Sequence, residues 1–250
     1  MLPNIWIIDT YSLMIFLGVI ACFILFWLFR KKHKISEKFT YDIFLLACVA
    51  IGFGILFAVL FQLLFDSLKG AIRGTAMTFY GGLVGGVISF LLGYFLVIRK
   101  RYPEAKFTSD ILPIAPACIT VAHGFGRVGC FLAGCCYGVE TDSFLGVKFP
   151  HLDHAVYPTQ LFEAIFLFLL TVLLFLIAMK KRSPYNLCVY LFSYGIFRFL
   201  LEFLRGDNRG AFMLSMSPSQ LFSVVSVVSS IILFIVLRFY ILKPKMKEES

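Results

Sequence analysis

Residues 123–138 read HGFGRVGCFLAGCCYG and close an apolar stretch of the chain. Five glycines, three cysteines, one histidine and one arginine share these sixteen positions. A lipid-facing helix is not built this way. A permanent charge at membrane depth is costly, so Arg127 must face a protein interior or an aqueous cavity and find a partner there. His123 stands four residues earlier on the same helical face, and is read by default as a hydrogen-bonded structural residue. A second set of charges lies at 197–205, FRFLLEFLR, where Arg198, Glu202 and Arg205 recur at i, i+4 and i+7 on one face.

A salt bridge through Glu202 is the structural reading of that face. Two arginines against one glutamate leave positive charge over, however, and Arg127 adds more at the same predicted depth. Surplus guanidinium groups near a membrane surface favour an anion, and phosphate oxygens match the planar fork bidentately. A phospholipid headgroup is the nearest abundant source. Glu163 falls one turn after Pro158, a residue suited to the first turn of a helix. A carboxylate at that depth is expected to pair with one of the arginines, proton transfer being the lesser reading.

Cys130, Cys135 and Cys136 raise a metal or redox reading. Their C-x4-C-C spacing matches no common zinc-ligand pattern and no convincing Cys or His pair follows, so no metal and no other cofactor is expected. Bracing a loop outside the membrane is the favoured role, with a disulfide within the trio allowed by an oxidising compartment. Cys22, Cys48, Cys118 and Cys188 read as small core hydrophobes. In residues 80–86, YGGLVGG, the glycines Gly81, Gly82, Gly85 and Gly86 have small-xxx-small spacing, which predicts close helix packing. Beside Tyr80 they also let a substrate approach the backbone.

These groups sit in a chain of 250 residues that is 60% hydrophobic and 15% charged, with a mean hydropathy of +0.90. No soluble core needs that much apolar surface, and the composition predicts an all-α integral membrane protein. A span takes about 20 apolar residues. Seven stretches fit, at 11–29, 41–65, 78–98, 110–125, 158–179, 185–204 and 218–242, the fourth being short and glycine-broken. No A-x-A-like cleavage site follows the first, so it is expected to be retained. Basic runs follow the first, third, fifth and seventh stretches and hold 15 of the 23 lysines and arginines. The positive-inside rule then puts the N-terminus outside the cell membrane and the C-terminus in the cytoplasm. It also puts Arg73, Tyr80, Arg127, Arg205 and Arg209 toward the outer face. The net charge of +9 lies largely in the cytoplasmic loops, so its counterpart is anionic lipid and not nucleic acid. The polar connection at about 126–157 is expected to form a small extracytoplasmic cap on a single polytopic domain of residues 1–250.

Five motifs, in this order, resemble those of the bacterial prolipoprotein diacylglyceryl transferases, integral membrane enzymes with seven spans. Residues 126–138, GRVGCFLAGCCYG, resemble the family signature G-R-x-G-N-F-x-N-G-E-x-[WY]-G. YSLM at 11–14 is similar to its first-span tyrosine motif, and FYGGLVGG at 79–86 to F-H-G-G-x-x-G-G. YPTQLFE at 157–163 resembles H-P-[ST]-Q-L-Y-E, and FRFLLEFLR at 197–205 resembles F-R-x-x-x-E-F-x-R. The correspondence spans nearly the whole chain, with the motifs lying between positions 11 and 205.

The resemblance implies transfer of the diacylglyceryl group of phosphatidylglycerol to the thiol of a lipobox cysteine in a secreted lipoprotein precursor, releasing glycerol phosphate. It implies that Arg127 and Arg198 bind the headgroup and the transition state, supported by Glu163, Glu202 and Arg205. It marks Tyr11, Gly81, Gly82, Cys130, Cys135 and Gly138 as substrate-binding positions. Tyr80 and Tyr157 stand where the family motifs have histidine, and Cys130 and Cys135 where the signature has asparagine and glutamate. A tyrosine with an unperturbed pKa of about 10 is a poor base at neutral pH, so Tyr80 shares the candidate base role with His123. The same replacements leave open a different envelope acceptor. A membrane thiol oxidoreductase using the three cysteines, and a lipid-binding scaffold without chemistry, are the rival readings.

Overall fold

The structure, a computed structural model, describes residues 4–5, 8–68, 79–206 and 216–246, with the backbone alone at 4–5, 8, 65–66, 68, 79–80 and 241–246. In chain order its elements are β1 (Asn4–Ile5), β2 (Ile8–Asp9), α1 (Thr10–His33), α2 (Glu37–Leu68), α3 (Phe79–Gly93) and α4 (Arg99–Arg101). They continue with α5 (Ala115–Ala133), β3 (Val147–Lys148), β4 (Ala155–Val156), α6 (Thr159–Lys181), α7 (Asn186–Leu201) and α8 (Pro218–Met246). Among the described residues, six helices are long and apolar enough to cross a membrane: α1, α2, α3 continued through α4, α6, α7 and α8. The protein is an all-α, multi-pass membrane protein. Arg73 and Arg209 lie outside the described residues, as does the side chain of Tyr80.

The fourth expected stretch differs. It folds as α5, which starts at Ala115 after a π turn at Phe107–Ile111 and runs past residue 125 to Ala133. Arg127 and Cys130 therefore lie within a helix and not in the connection beyond it. The extension ends where the backbone enters the left-handed region at Gly134, φ 71°, whose N–H closes the last turn on the Cys130 and Phe131 carbonyls; glycine reaches that region without penalty. His123, Arg127 and the glycines keep α5 out of the apolar set, and its buried face meets protein instead of lipid.

The chain divides into two compact units, residues 1–32 with 107–250, and residues 33–106. In the first, α1 with α5, α5 with α6, and α7 with α8 pair antiparallel, with small or hydroxylated residues at their close approaches. Between α1 and α5, Tyr11 packs on Gly129, Gly18 on Ala122, and the Cys22 thiol donates to the Cys118 carbonyl at 3.0 Å. Between α5 and α6, Gly124 meets the Phe168 ring and Thr171 donates to Thr120 at 2.8 Å. Between α7 and α8, Gly195 lies against Ser223 and Val227, and Ser230 donates to the Cys188 carbonyl at 2.8 Å. Lipid tails give apolar faces no reason to associate, so close backbone contact and hydroxyl hydrogen bonds hold such a bundle.

Asn186 clamps the first unit. Its amide is fully buried and donates to the carbonyls of Pro113 at 2.6 Å and Leu174 at 2.9 Å. The segment after α5 forms a small cap on the same unit. Residues 138–141 run between 155–157 and 204–205, with Gly138 N–H donating to Tyr157 at 2.8 Å and Val139 N–H to Leu204 at 2.9 Å. The fully buried Phe149 fills the cap among the rings of Phe131, Tyr137 and His151.

In the second unit α2 and α3 pack along glycines. Gly54 approaches the Gly82 carbonyl, Gly81 lies against Phe61, Gly85 against Phe57, and Gly82 against Ala58. Beyond a π turn at Tyr94–Ile98, Arg101 pairs with Asp42 at 2.9 Å and Tyr102 donates to the same carboxylate at 2.8 Å.

Replacing Asn186 with alanine strips two buried carbonyls of their donor and should cost about 1–3 kcal/mol. The expected readout is a lower thermal midpoint of the detergent-solubilised protein, and an unchanged midpoint contradicts the clamp.

Candidate functional site

Glu163, on the second turn of α6, is fully buried at the α5 contact, and the Nε of Arg127 lies 3.1 Å from its Oε2. The other carboxylate oxygen accepts from the Tyr194 hydroxyl of α7 at 2.7 Å. One carboxylate thus ties three helices. His123 faces the same spot: its Nε2 accepts the Nε–H of Arg127 at 3.3 Å and stands 3.6 Å from Glu163. Accepting from arginine requires a lone pair on Nε2, so the imidazole carries no proton there, and 3.6 Å is too long for a hydrogen bond to Glu163. Both Arg127 contacts use Nε. Its two terminal nitrogens make no hydrogen bond among the described residues.

Arg198 is built the same way. Its Nη2 meets Glu202 at 2.7 Å, one turn on, and donates to Ser219 of α8 at 3.0 Å. Its Nη1 is buried and has no partner among the described residues. Glu202 also accepts from Ser217 at 2.7 Å. Arg198 lies within electrostatic reach of both Glu163 and His123, so the two ion pairs form one centre. The expected excess of arginine over glutamate is thereby reduced: Glu163 answers Arg127 and Glu202 answers Arg198. Pairing neutralises the formal charges yet leaves guanidinium donors unused, and a buried donor without an acceptor is costly to keep.

Beyond α5 the chain folds back on itself. Cys135 N–H donates to the Cys130 carbonyl at 3.1 Å, and Cys136 adopts a left-handed backbone, φ 65°, uncommon for a residue with a side chain. The sulfurs of Cys130, Cys135 and Cys136 lie within 4.8 Å of one another. Two buried residues at the start of α6 hold this turn: Thr159 donates to the Cys136 carbonyl at 3.0 Å and Gln160 to the Cys135 carbonyl at 2.7 Å. Hydrogen bonds from Cys130 and Cys135, and then from Arg205, hold the Cys136 thiol well below the usual thiol range. A cavity of about 580 Å³ opens on the cap side of the turn, lined by Cys135, Cys136, Glu140, His151 and His154 among others.

Of the residues singled out in the sequence, His123, Arg127, Glu163, Arg198 and Glu202 meet in one centre. Tyr11, partly exposed on α1, lies within electrostatic reach of Arg127 and Cys130. Arg205 pairs its backbone with Gly138, and a side chain at Gly138 would strike the Leu204 carbonyl, which explains the glycine. Gly81 and Gly82 belong to the other compact unit, in the helix contact described above. The sequence reading missed Tyr194, Ser217, Ser219, Thr159 and Gln160. One signal was there: Tyr190, Tyr194, Arg198 and Glu202 recur every four residues, so all four share a helical face.

Charge pairs buried in a bundle of apolar helices are the mark of a polytopic membrane protein with a working polar centre. The chain belongs to the prolipoprotein diacylglyceryl transferase family, whose model matches residues 2–236. A phosphatidylglycerol--prolipoprotein diacylglyceryl transferase of Clostridium tetani is 35% identical to it over 242 residues, covering 92% of this chain and 93% of the relative. A second, from Clostridium perfringens, is 31% identical over 238 residues, with 91% and 90% covered. A third, from Dehalococcoides mccartyi, is 31% identical over 258 residues, with 98% and 92% covered.

Glu163→Ala leaves the Arg127 charge buried without its counter-ion, and breaking a pair this way costs about 3–5 kcal/mol. We expect Glu163→Ala to unfold at markedly lower temperature than Tyr194→Phe, which removes one hydrogen bond worth about 1 kcal/mol. Equal midpoints for the two variants would contradict the assignment.

Proposed function

We propose that this diacylglyceryl transferase draws phosphatidylglycerol from the outer leaflet of the cell membrane and moves its diacylglyceryl group to a cysteine thiol of a prolipoprotein, releasing glycerol phosphate. The N-terminus then faces outward and the C-terminus the cytoplasm, as the basic loops favour. The headgroup phosphate lies between Arg127 and Arg198. As the carbon–oxygen bond to the diacylglyceryl carbon breaks, charge grows on the phosphate oxygens, and fixed donors in a water-poor site stabilise it most where it develops. The acceptor sulfur forms the new bond to that carbon, and glycerol phosphate leaves with the electron pair.

The observation that carries this reading is the pair of guanidinium groups held by carboxylates on one side with donors that have no partner among the described residues on the other: Nη1 of Arg198 and the terminal nitrogens of Arg127. Glu163 and Glu202 keep the arginines in place before lipid arrives. His123, whose lone pair is directed at Arg127, acts in this reading as a positioning residue. A changed acceptor is the second reading, favoured by Cys130 and Cys135 at signature positions that carry asparagine and glutamate in the family pattern.

The test is release of glycerol phosphate from labelled phosphatidylglycerol by the purified protein with a lipobox peptide. Arg127→Lys keeps the charge but loses the fork, and activity should fall about 10²–10³-fold, the loss typical of one transition-state donor. Unimpaired turnover by the lysine variant contradicts the role. Lipid consumed only with an acceptor other than the peptide thiol supports the second reading.

A further inference from the structure

We infer that Cys130, Cys135 and Cys136 form a three-thiolate site for a soft divalent cation, Zn2+, whose fourth position opens on the cap cavity and takes the acceptor's thiol. The metal half stands on geometry alone, and the thiol half rests on the transferase reading above. The linear spacing matches no common zinc pattern, because such patterns are counted along the chain. The fold alters the count. The left-handed residues Gly134 and Cys136 reverse the backbone, so the two later cysteines lie back over the one on the last turn of α5.

The sulfurs already lie within 4.8 Å of one another. Tetrahedral thiolates around Zn2+ at about 2.3 Å sit about 3.8 Å apart, so closing on an ion takes side-chain rotation and no refolding. The turn is braced as outer-shell partners brace a metal site, with Gln160 and Thr159 fixing the carbonyls of Cys135 and Cys136. Three thiolates on Zn2+ carry a net charge of about −1. That charge is welcome here, since Arg205 lies within electrostatic reach of Cys136, and Arg127 within that of Cys130 and Cys135. The cavity along Cys135 and Cys136 supplies the entry path.

Three protein ligands and one open position are the arrangement of a zinc ion that handles substrate and not one that merely braces a fold. A thiol bound there is deprotonated outright. This answers a need of the site: among the described residues no base at the charged centre is idle, His123 being committed to Arg127 and Glu163 to Arg127 and Tyr194. On binding, the acceptor thiol gives its proton to solvent in the cavity. A lone pair of the zinc-held sulfur then forms the bond to the diacylglyceryl carbon, the carbon–oxygen bond breaks, and glycerol phosphate departs with those electrons. The thioether product is a weak ligand and leaves the metal.

The full chain, purified in detergent without chelator, is titrated with Zn2+ and, as an optical probe, Co2+. We expect about one metal per chain with thiolate-to-cobalt and tetrahedral ligand-field bands. Cys130→Ser, Cys135→Ser and Cys136→Ser should each lose roughly 10-fold or more in affinity, while Cys48→Ser, in the other compact unit, binds as the unaltered chain does. A lipobox peptide should shift the cobalt bands and its serine counterpart should not. Failure to bind metal with all three thiols free, or a disulfide among them in protein purified without oxidant, overturns the site. Metal bound with bands indifferent to the thiol peptide overturns the open position and leaves the transferase reading intact. Metal bound and shifted by the thiol peptide, but no glycerol phosphate released, upholds the site and fails the transferase reading.

Discussion

A guanidinium group has to lie inside an apolar bundle, and the cost of placing it there decides much of the surrounding structure. Arg127 meets Glu163 at 3.1 Å across the α5–α6 contact, and Glu163 is wholly buried. Neither charge is tolerable alone at that depth. The pair therefore fixes the register of two helices, and the bond from Tyr194 extends that constraint to α7. Arg198 with Glu202 and Ser219 repeats the device one helix further on, against α8. The polar centre and the bundle depend on each other: remove the carboxylates and the arginines cannot stay, remove the arginines and the carboxylates are left as unpaired buried charges.

The helices around this centre are held by contacts that let backbones come close. Gly18, Gly124, Gly129 and Gly195 each face a neighbouring helix where a larger side chain would not fit, and Thr120, Thr171 and Ser230 add hydroxyl bonds between helices. Such packing aligns α5 and α6 closely enough for Arg127 to reach Glu163. At the same end of α6, Thr159 and Gln160 hold the cysteine turn, so the charged centre and the cap are joined through one helix start. A transferase that brings a lipid and a thiol together needs that link between the membrane and the aqueous side.

Much of this was legible in the sequence, for physical reasons. Membrane spans announce themselves by length and hydropathy, and charges within them stand out because they are rare. Arg127, Glu163, Arg198 and Glu202 were found that way. The bounds of α5 were not, because His123, Arg127 and three glycines blur the apolar signal while helical bonding continues to Ala133. Tyr194 and Ser219 escaped since tyrosine and serine are unremarkable in such helices until a partner is seen. The clustering of three sulfurs depends on the left-handed backbone at Gly134 and Cys136, which no count along the chain discloses.

The central claim is that Arg127 and Arg198 together receive one phosphate group. A structure of the protein with phosphatidylglycerol bound tests it most directly. The account predicts headgroup phosphate oxygens within about 3 Å of guanidinium nitrogens of both arginines, with Glu163 and Glu202 still in place behind them. A phosphate bound elsewhere, or held by one arginine while the other stays locked on its carboxylate, would contradict it.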